Sequence, residues 1–500
     1  NFNDTYTNGS VVLGGTLDAN VVYVTNNVTN YTFSGAGTLS GNTELVKSGT
    51  ASLTVINTGN SFNGPIYLNA GTLYANATLG NGIIYLDGGT LQVENGTYLG
   101  NPIVVETTST IYSTGGSNWV ANNAGATLSS TVPVTLFIGV NGGAAFTVAG
   151  NMDGFQGTFE MGASAGLVRL DGDGSSQALF DIGTSTGTLG NRNGGITVNF
   201  GGLAGGSSTT LQGRQSGSGE TTSTYVIGAL NGNETFAGAI LTGGDEAGLD
   251  IFKTGSGNWI LSGTSTWVGT VLVEQGTLTI SGSDNNGGFN FETQSGGTFA
   301  LAGGTVTTDS VQIDNGAIFT AYGTLNSGLV NQGTATVTGP LTVNGDFEND
   351  GTLTVAAGGG LAIKLPAGGS TYVNNGTLTV DGSGSMSVTL PGDGSGSFVN
   401  NGLLDIMDSP NTALPAGYVN NGTILTSSLV AVQQFSMAGT TFMVKIQSYT
   451  GHTYQLQKST NLTTWQNVGT AKAGATGTAL TLTDTNASSA GTFYQIGVGP

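Results

Sequence analysis

The chain has 500 residues, among them 88 glycines, nine prolines, one histidine and no cysteine, and its 9 Lys and Arg against 29 Asp and Glu leave a formal charge of −20. Disulfides, thiolate metal centres and two-histidine zinc motifs are excluded, and the acidic balance repels the phosphates of nucleic acids and of anionic lipids. No apolar run approaches the ~18 residues that would span a bilayer, and the regular apolar alternation argues against disorder.

In chain order, the first residue is Asn1 and no secretory leader pattern follows, as expected of a processed or trimmed chain. Asn1-Phe2-Asn3-Asp4-Thr5-Tyr6 alternates aromatic and polar residues with no glycine before Gly9, which predicts an N-terminal strand or cap over residues 1–12. Short strands between turn residues come next, such as Ile83-Ile84-Tyr85-Leu86 and Ile103-Val104-Val105. No amphipathic helical pattern of useful length occurs. Asp171-Gly172-Asp173-Gly174, followed by Asp181, is the best acidic cluster. Its carboxylates and carbonyls suit Ca2+, while a solvated glycine turn is the plainer reading. Residues 201–219 are the richest in glycine and serine, expected as a surface loop or the edge of irregular coils.

From about residue 330 one phrase recurs: Leu329-Val330-Asn331-Gln332-Gly333, Phe347-Glu348-Asn349-Asp350-Gly351, Tyr372-Val373-Asn374-Asn375-Gly376, Phe398-Val399-Asn400-Asn401-Gly402 and Tyr418-Val419-Asn420-Asn421-Gly422. The glycines lie 18, 25, 26 and 20 residues apart, a spacing that marks a solenoid. Each Asn-Gly is expected to turn with φ > 0 at the glycine. Thr377-Leu378-Thr379-Val380 then alternates as a half-buried strand with Leu378 and Val380 inward. One coil cannot bury its apolar face, but stacked coils share a continuous narrow core. Slim coils leave little room for large rings, in keeping with the 8% aromatic content. The recurring asparagines are expected to stack into ladders, each side-chain amide bonding to the next coil. The expectation is an all-β, right-handed parallel β-helix over residues 13–429.

Composition changes at residue 430. Residues 1–429 carry a net −22, whereas 430–500 hold Lys445, Lys458 and Lys472 against Asp484 alone, net +2. Thr441-Phe442-Met443-Val444-Lys445-Ile446, His452 to Gln457, Ala479 to Leu482 and Thr492 to Ile496 predict a small antiparallel β-sandwich capping the stack.

Two distant segments align: Lys47-Ser48-Gly49-Thr50-Ala51-Ser52-Leu53-Thr54-Val55 with Lys253-Thr254-Gly255-Ser256-Gly257-Asn258-Trp259-Ile260-Leu261. Each runs on through an aromatic-x-Gly (Phe62-Asn63-Gly64; Trp267-Val268-Gly269) to Gly-Thr-Leu (Gly71-Thr72-Leu73; Gly276-Thr277-Leu278). This pattern resembles the autotransporter-associated β-strand repeat of bacterial surface proteins, a parallel β-helix repeat, over about 120 residues of which 196–281 match most closely. The stretch from Tyr454 to Trp465 is similar to a terminal β-module of secreted proteins from Verrucomicrobia-like bacteria. The resemblance implies an extracellular or cell-surface structural or adhesive protein. It departs from true autotransporters in that no long membrane-barrel domain follows the repeats, so self-secretion by that route is not expected.

The expected function is therefore that of a secreted, non-enzymatic scaffold, an adhesin or a head-to-tail fibre subunit, with no catalytic residue, no cofactor and no membrane insertion assigned. Phe2 and Tyr6 are the candidate assembly residues, adding as a strand to a neighbouring copy. The only metal candidates are Asp171 and Asp173, for calcium. The alternative is a carbohydrate-binding or carbohydrate-active β-helix, a lyase or hydrolase acting on extracellular polysaccharide. Such an enzyme needs acids clustered on one face, and no Asp-Asp pair occurs. His452 reads as a surface or packing residue. Lys47 and Lys253, at equivalent repeat positions, read as setting register or as solvated residues and not as catalytic ones. Trp259 aligns with Leu53 and Trp267 with Phe62, which points to core filling rather than to sugar platforms.

Overall fold

The computed structural model describes residues 1–94, 96–141, 143–162, 166–214, 221–244, 247–409, 412–488 and 491–500. The last five residues of the glycine- and serine-rich stretch 201–219 lie outside them. The chain forms two compact units, residues 1–299 with 304–309, and residues 300–303 with 310–500.

In the first unit nearly every rung is a short strand hydrogen-bonded in parallel to the equivalent strand of the coils on either side. Ile66–Leu68, Ile84–Leu86 and Ile103–Val105 stack with Ile66, Ile84 and Ile103 in register. On another face Tyr31, Leu53, Leu73, Leu91, Ile111, Ile138 and Met161 form one inward column across seven coils. All seven are buried, and each such side chain contributes about 1.5–3 kcal/mol of burial. The period-2 alternation dictates this arrangement: one residue points in, the next points out, and another inward apolar residue stands above it in register.

Large rings are not excluded from these coils, contrary to expectation. Phe159, Phe180, Phe200 and Tyr225 stack along the axis with centroids 5.2, 4.9 and 5.2 Å apart. A ring too bulky for one coil is accommodated because its neighbour above is another ring, offset or edge-on, at the preferred spacing.

The second unit begins with long bent strands, Ile318–Asn331 and Thr334–Asn344, and settles into coils of three strands each. Phe347–Asn349, Thr352–Val355 and Gly360–Lys364 form one coil; Thr371–Asn374, Thr377–Val380 and Ser385–Thr389 form the next, paired to it in parallel. Leu378 and Val380 are fully buried, as the alternation predicts. The coils end at Thr423–Leu425, and a single 3-10 turn, Ser427–Leu429, leads into the terminal module.

That module is a pair of three-stranded antiparallel sheets. One orders Val432–Ala438, Thr441–Gln447 and Ala479–Asp484; the other orders Gln466–Ala473, Thr453–Ser459 and Phe493–Gly499. Val444, Ile446, Tyr454, Leu456 and Leu482 form its core. At the N-terminus the strand Ser10–Val12 pairs in parallel with Tyr31–Ser34.

Candidate functional site

The recurring asparagines of the second unit face inward, and their side chains run from coil to coil. Asn331 donates to Asn349 Oδ1, Asn349 to Asn374, Asn374 to Asn400 and Asn400 to Asn420, each at 2.7 Å. The steps span 18, 25, 26 and 20 residues, the same spacings as the glycines of the repeated phrase. The second N–H of each amide reaches a main-chain carbonyl, that of Thr352, Thr377, Leu403 or Thr423, at 3.0–3.2 Å. Asn331, Asn349, Asn374 and Asn400 are fully buried. Charged residues could not repeat in such a column, whereas a neutral amide is both donor and acceptor and propagates without charge. A second, exposed ladder runs Asn421 to Asn401 to Asn375 to Asp350.

The glycine beside each ladder rung serves a purpose other than the one its sequence suggests. Gly351, Gly376, Gly402 and Gly422 do not adopt positive φ. A Cβ at Gly376 would lie 2.1 Å from the carbonyl oxygen of Gly351, and one at Gly402 or Gly422 equally close to the glycine below. These positions are glycine because backbone passes directly over backbone. Beside them Phe347, Tyr372 and Phe398 stack at 4.9 and 4.6 Å.

In the first unit a buried lysine joins coil to coil. Lys47 Nζ donates to the carbonyls of Ser48, Gly49 and, one coil on, Ala70, at 3.2, 2.7 and 3.2 Å. Lys253 Nζ repeats this with Thr254, Gly255 and Gln275 at 2.6, 2.8 and 3.2 Å. Each ammonium thus places two N–H groups on carbonyls of its own turn, whose glycine, Gly49 or Gly255, holds positive φ, and the third on a carbonyl of the next coil. Burial lowers both amines to about 8. Residues 45–75 and 251–280, the segments that contain these lysines, both match the model of the passenger-associated-transport-repeat. No curated protein matches the chain. Within the repeats, Trp259 and Trp267 are buried like Leu53 and Phe62, their counterparts. Trp259 Nε1 donates to Leu203 O at 3.0 Å, so both tryptophans fill the core.

The other residues singled out by sequence are not brought together. The Asp171 carboxylate accepts a hydrogen bond from Asn193. Burial raises its pKa, against the pull of Arg192 and Arg169. Asp173 is exposed, and its main-chain carbonyl serves Asn199 at 2.7 Å. Among the described residues no three of His, Asp and Glu are grouped to hold a metal ion, so the structure adds nothing to the calcium expectation.

Phe2 is not a free strand. Its N–H and C=O pair with Tyr23 and Thr25 at 2.8 Å, and its ring packs on Tyr31 and Phe33. Asp4 takes the N–H groups of Asn27, Val28 and Thr29, which hold its carboxyl below the usual range. The N-terminal segment therefore closes its own first coil. Phe2 is thus paired within its own chain, and Tyr6 is 66% exposed.

His452 is buried, with Nε2 2.9 Å from Asp405 Oδ2 in the coils. Nearby, Tyr454 OH meets Met407 Sδ at 3.6 Å. Asp405 lies 47 residues upstream, and nothing in the sequence signals the pairing.

Proposed function

We propose that the chain is a secreted or cell-surface structural passenger, a β-solenoid scaffold that acts without catalysis as an adhesin or as a fibre subunit. What carries this reading is the use of the buried polar side chains: the asparagine ladder and the two lysines connect coil to coil instead of converging on a reacting centre. Self-association is the finer part of the proposal. The last coil exposes Tyr418, Val419 and Asn420, and Asn420 is the final rung of the ladder, with its donor 3.4 Å from Gly422 O. An open strand edge of this kind pairs readily with another chain.

Light scattering and negative-stain microscopy of the full chain over a range of concentrations test this. The proposal expects species larger than the monomer that are lost in Asn420→Pro, which removes an edge donor. A strict monomer at every concentration would remove the fibre reading and leave the adhesin. Release of sugar products from a polysaccharide panel, abolished in Asp171→Asn, would overturn the non-enzymatic assignment.

A further inference from the structure

His452, the chain's single histidine, ties the terminal module to the last coils. Its Nε2 lies 2.9 Å from Asp405 Oδ2, and the second oxygen of that carboxylate accepts the N–H of Met407 at 3.2 Å. Asp405 ends the strand Leu403–Asp405 and stands in register with Thr379 of the coil before it. Two residues after Thr379 comes Asp381, and three residues after Asp405 comes Asp408, in the turn that leaves the strand. His452 is 4% exposed and Asp405 7%.

Two groups at this junction have unanswered atoms. Among the described residues, neither Nδ1 of His452 nor the two carboxylate oxygens of Asp408, all buried, have a hydrogen-bond partner. Asp381 feels the whole group: burial raises its pKa, the charges of Asp408 and Asp405 raise it further, and His452 opposes them. On the module side burial raises the pKa of the Tyr454 phenol, which also feels Tyr449 and Asp405 and stays uncharged near neutrality. Three carboxylates thus meet one imidazole in a site poor in water, where like charges repel more strongly than at the surface. Undocking the module would give each carboxylate back to water. The docked junction therefore holds protons more tightly than the separated surfaces do.

We propose that this junction is a proton-operated latch: the terminal module docks more tightly on the coils in mild acid and loosens as the medium turns alkaline. Two kinds of group take up the protons. An imidazole changes charge between about pH 5 and 8, and its second N–H is then available to a carboxylate. A carboxyl shielded from water and flanked by two others is protonated ahead of an exposed one. The sign follows from linkage: a group that holds its proton more firmly when docked contributes stability that is lost as pH rises. The latch does not rest on whether the scaffold is an adhesin or a fibre subunit.

The test follows the imidazole carbon signal of His452 by NMR in the full chain made with isotope-labelled histidine, where a single histidine leaves no ambiguity. Thermal melts are read from that signal at about pH 5 and about pH 8, the ends of the imidazole range. In wild type the midpoint is expected to be higher by roughly 4 °C or more at the acid end, the shift that a modest stabilisation gives a small domain. Asp381→Asn/Asp408→Asn keeps the shape of both side chains and removes two like charges. It should melt above wild type at about pH 8 and show a much smaller shift with pH. Asp408→Asn alone, at a side chain with no hydrogen bond to lose, should fall between the two and serves if the double variant does not fold. A wild-type midpoint that is equal or lower in acid would overturn the proposal. So would an acid shift in folded Asp408→Asn as large as that of wild type, which would put the proton uptake elsewhere in the chain.

Discussion

Asp284 illustrates how a single residue can work against the coil it occupies. It is 5% exposed, stacked between Ser265 and Val306, and one carboxylate oxygen has no hydrogen-bond partner. Burial raises its pKa well above the usual carboxylate range. The folded chain therefore keeps a proton that the unfolded chain releases above about pH 4, and stability contributed by the neutral acid is lost as pH rises. Asp284→Asn is expected to raise the urea midpoint at neutral pH, with the gain shrinking towards zero below about pH 4. An unchanged midpoint at neutral pH would show that the carboxylate is solvated. The lysines have the opposite sign. With Lys47 and Lys253 at about 8, the folded chain sheds protons that the unfolded chain retains up to the ordinary value near 10.4. Lys47→Met should cost about 1–3 kcal/mol near neutral pH, because three carbonyls lose their donor. Wild type should then gain on the variant as pH passes from about 7 to about 9.5. Denaturation curves at the two pH values measure both effects, and a gap that does not change with pH would mean the amines are not shifted. The equivalence of the two lysines was legible in the aligned repeats. The depth of Asp284 was not, because the short Ser283–Asn285 strand gives too few residues to assign an inward face.

At the scale of one coil, the asparagine ladder was legible because the phrase repeats and an amide is self-complementary. The role of its glycine was misread. Asn-Gly is the usual mark of a positive-φ turn, and only the neighbouring coil reveals that the missing Cβ matters for clearance. Gly376→Ala should therefore force two backbones apart and destabilise by about 1–3 kcal/mol. Gly392→Ala, where nothing lies within 4 Å of the new Cβ, should change stability by less than ~0.5 kcal/mol. Equal effects in thermal melts would contradict the contact. Asn374→Asp removes the donor to Asn400 and Leu403 and buries a charge, so it should be more damaging than Asn374→Ala near neutral pH. The difference should narrow below about pH 4 as the acid is protonated.

At the scale of the whole molecule, periodicity and composition read out the parallel coils and the change of architecture at residue 430. Two of the six strands of the terminal module, Val432–Ala438 and Gln466–Ala473, escaped notice, since most of their residues are exposed and no apolar alternation marks them. The pairing of His452 with Asp405 was invisible for another reason: it joins the module to coils that are remote in sequence. His452→Ala should cost about 1–3 kcal/mol and uncouple the melting of module and coils, seen as two calorimetric transitions in place of one. The central claim is that equivalent residues of successive coils lie side by side in parallel register. The chain has no cysteine, so introduced pairs can test this without background. Thr354 and Thr379 stand opposite each other on outward positions of adjacent coils. With Cys at both positions, a thiol reagent spanning about 5 Å, the separation of neighbouring strands, should bridge them rapidly. A pair at Thr354 and Thr342, which lies on the preceding coil opposite Ala362 and not opposite Thr354, should remain unbridged. Rapid bridging of the second pair, or none of the first, would contradict the stacked-coil account.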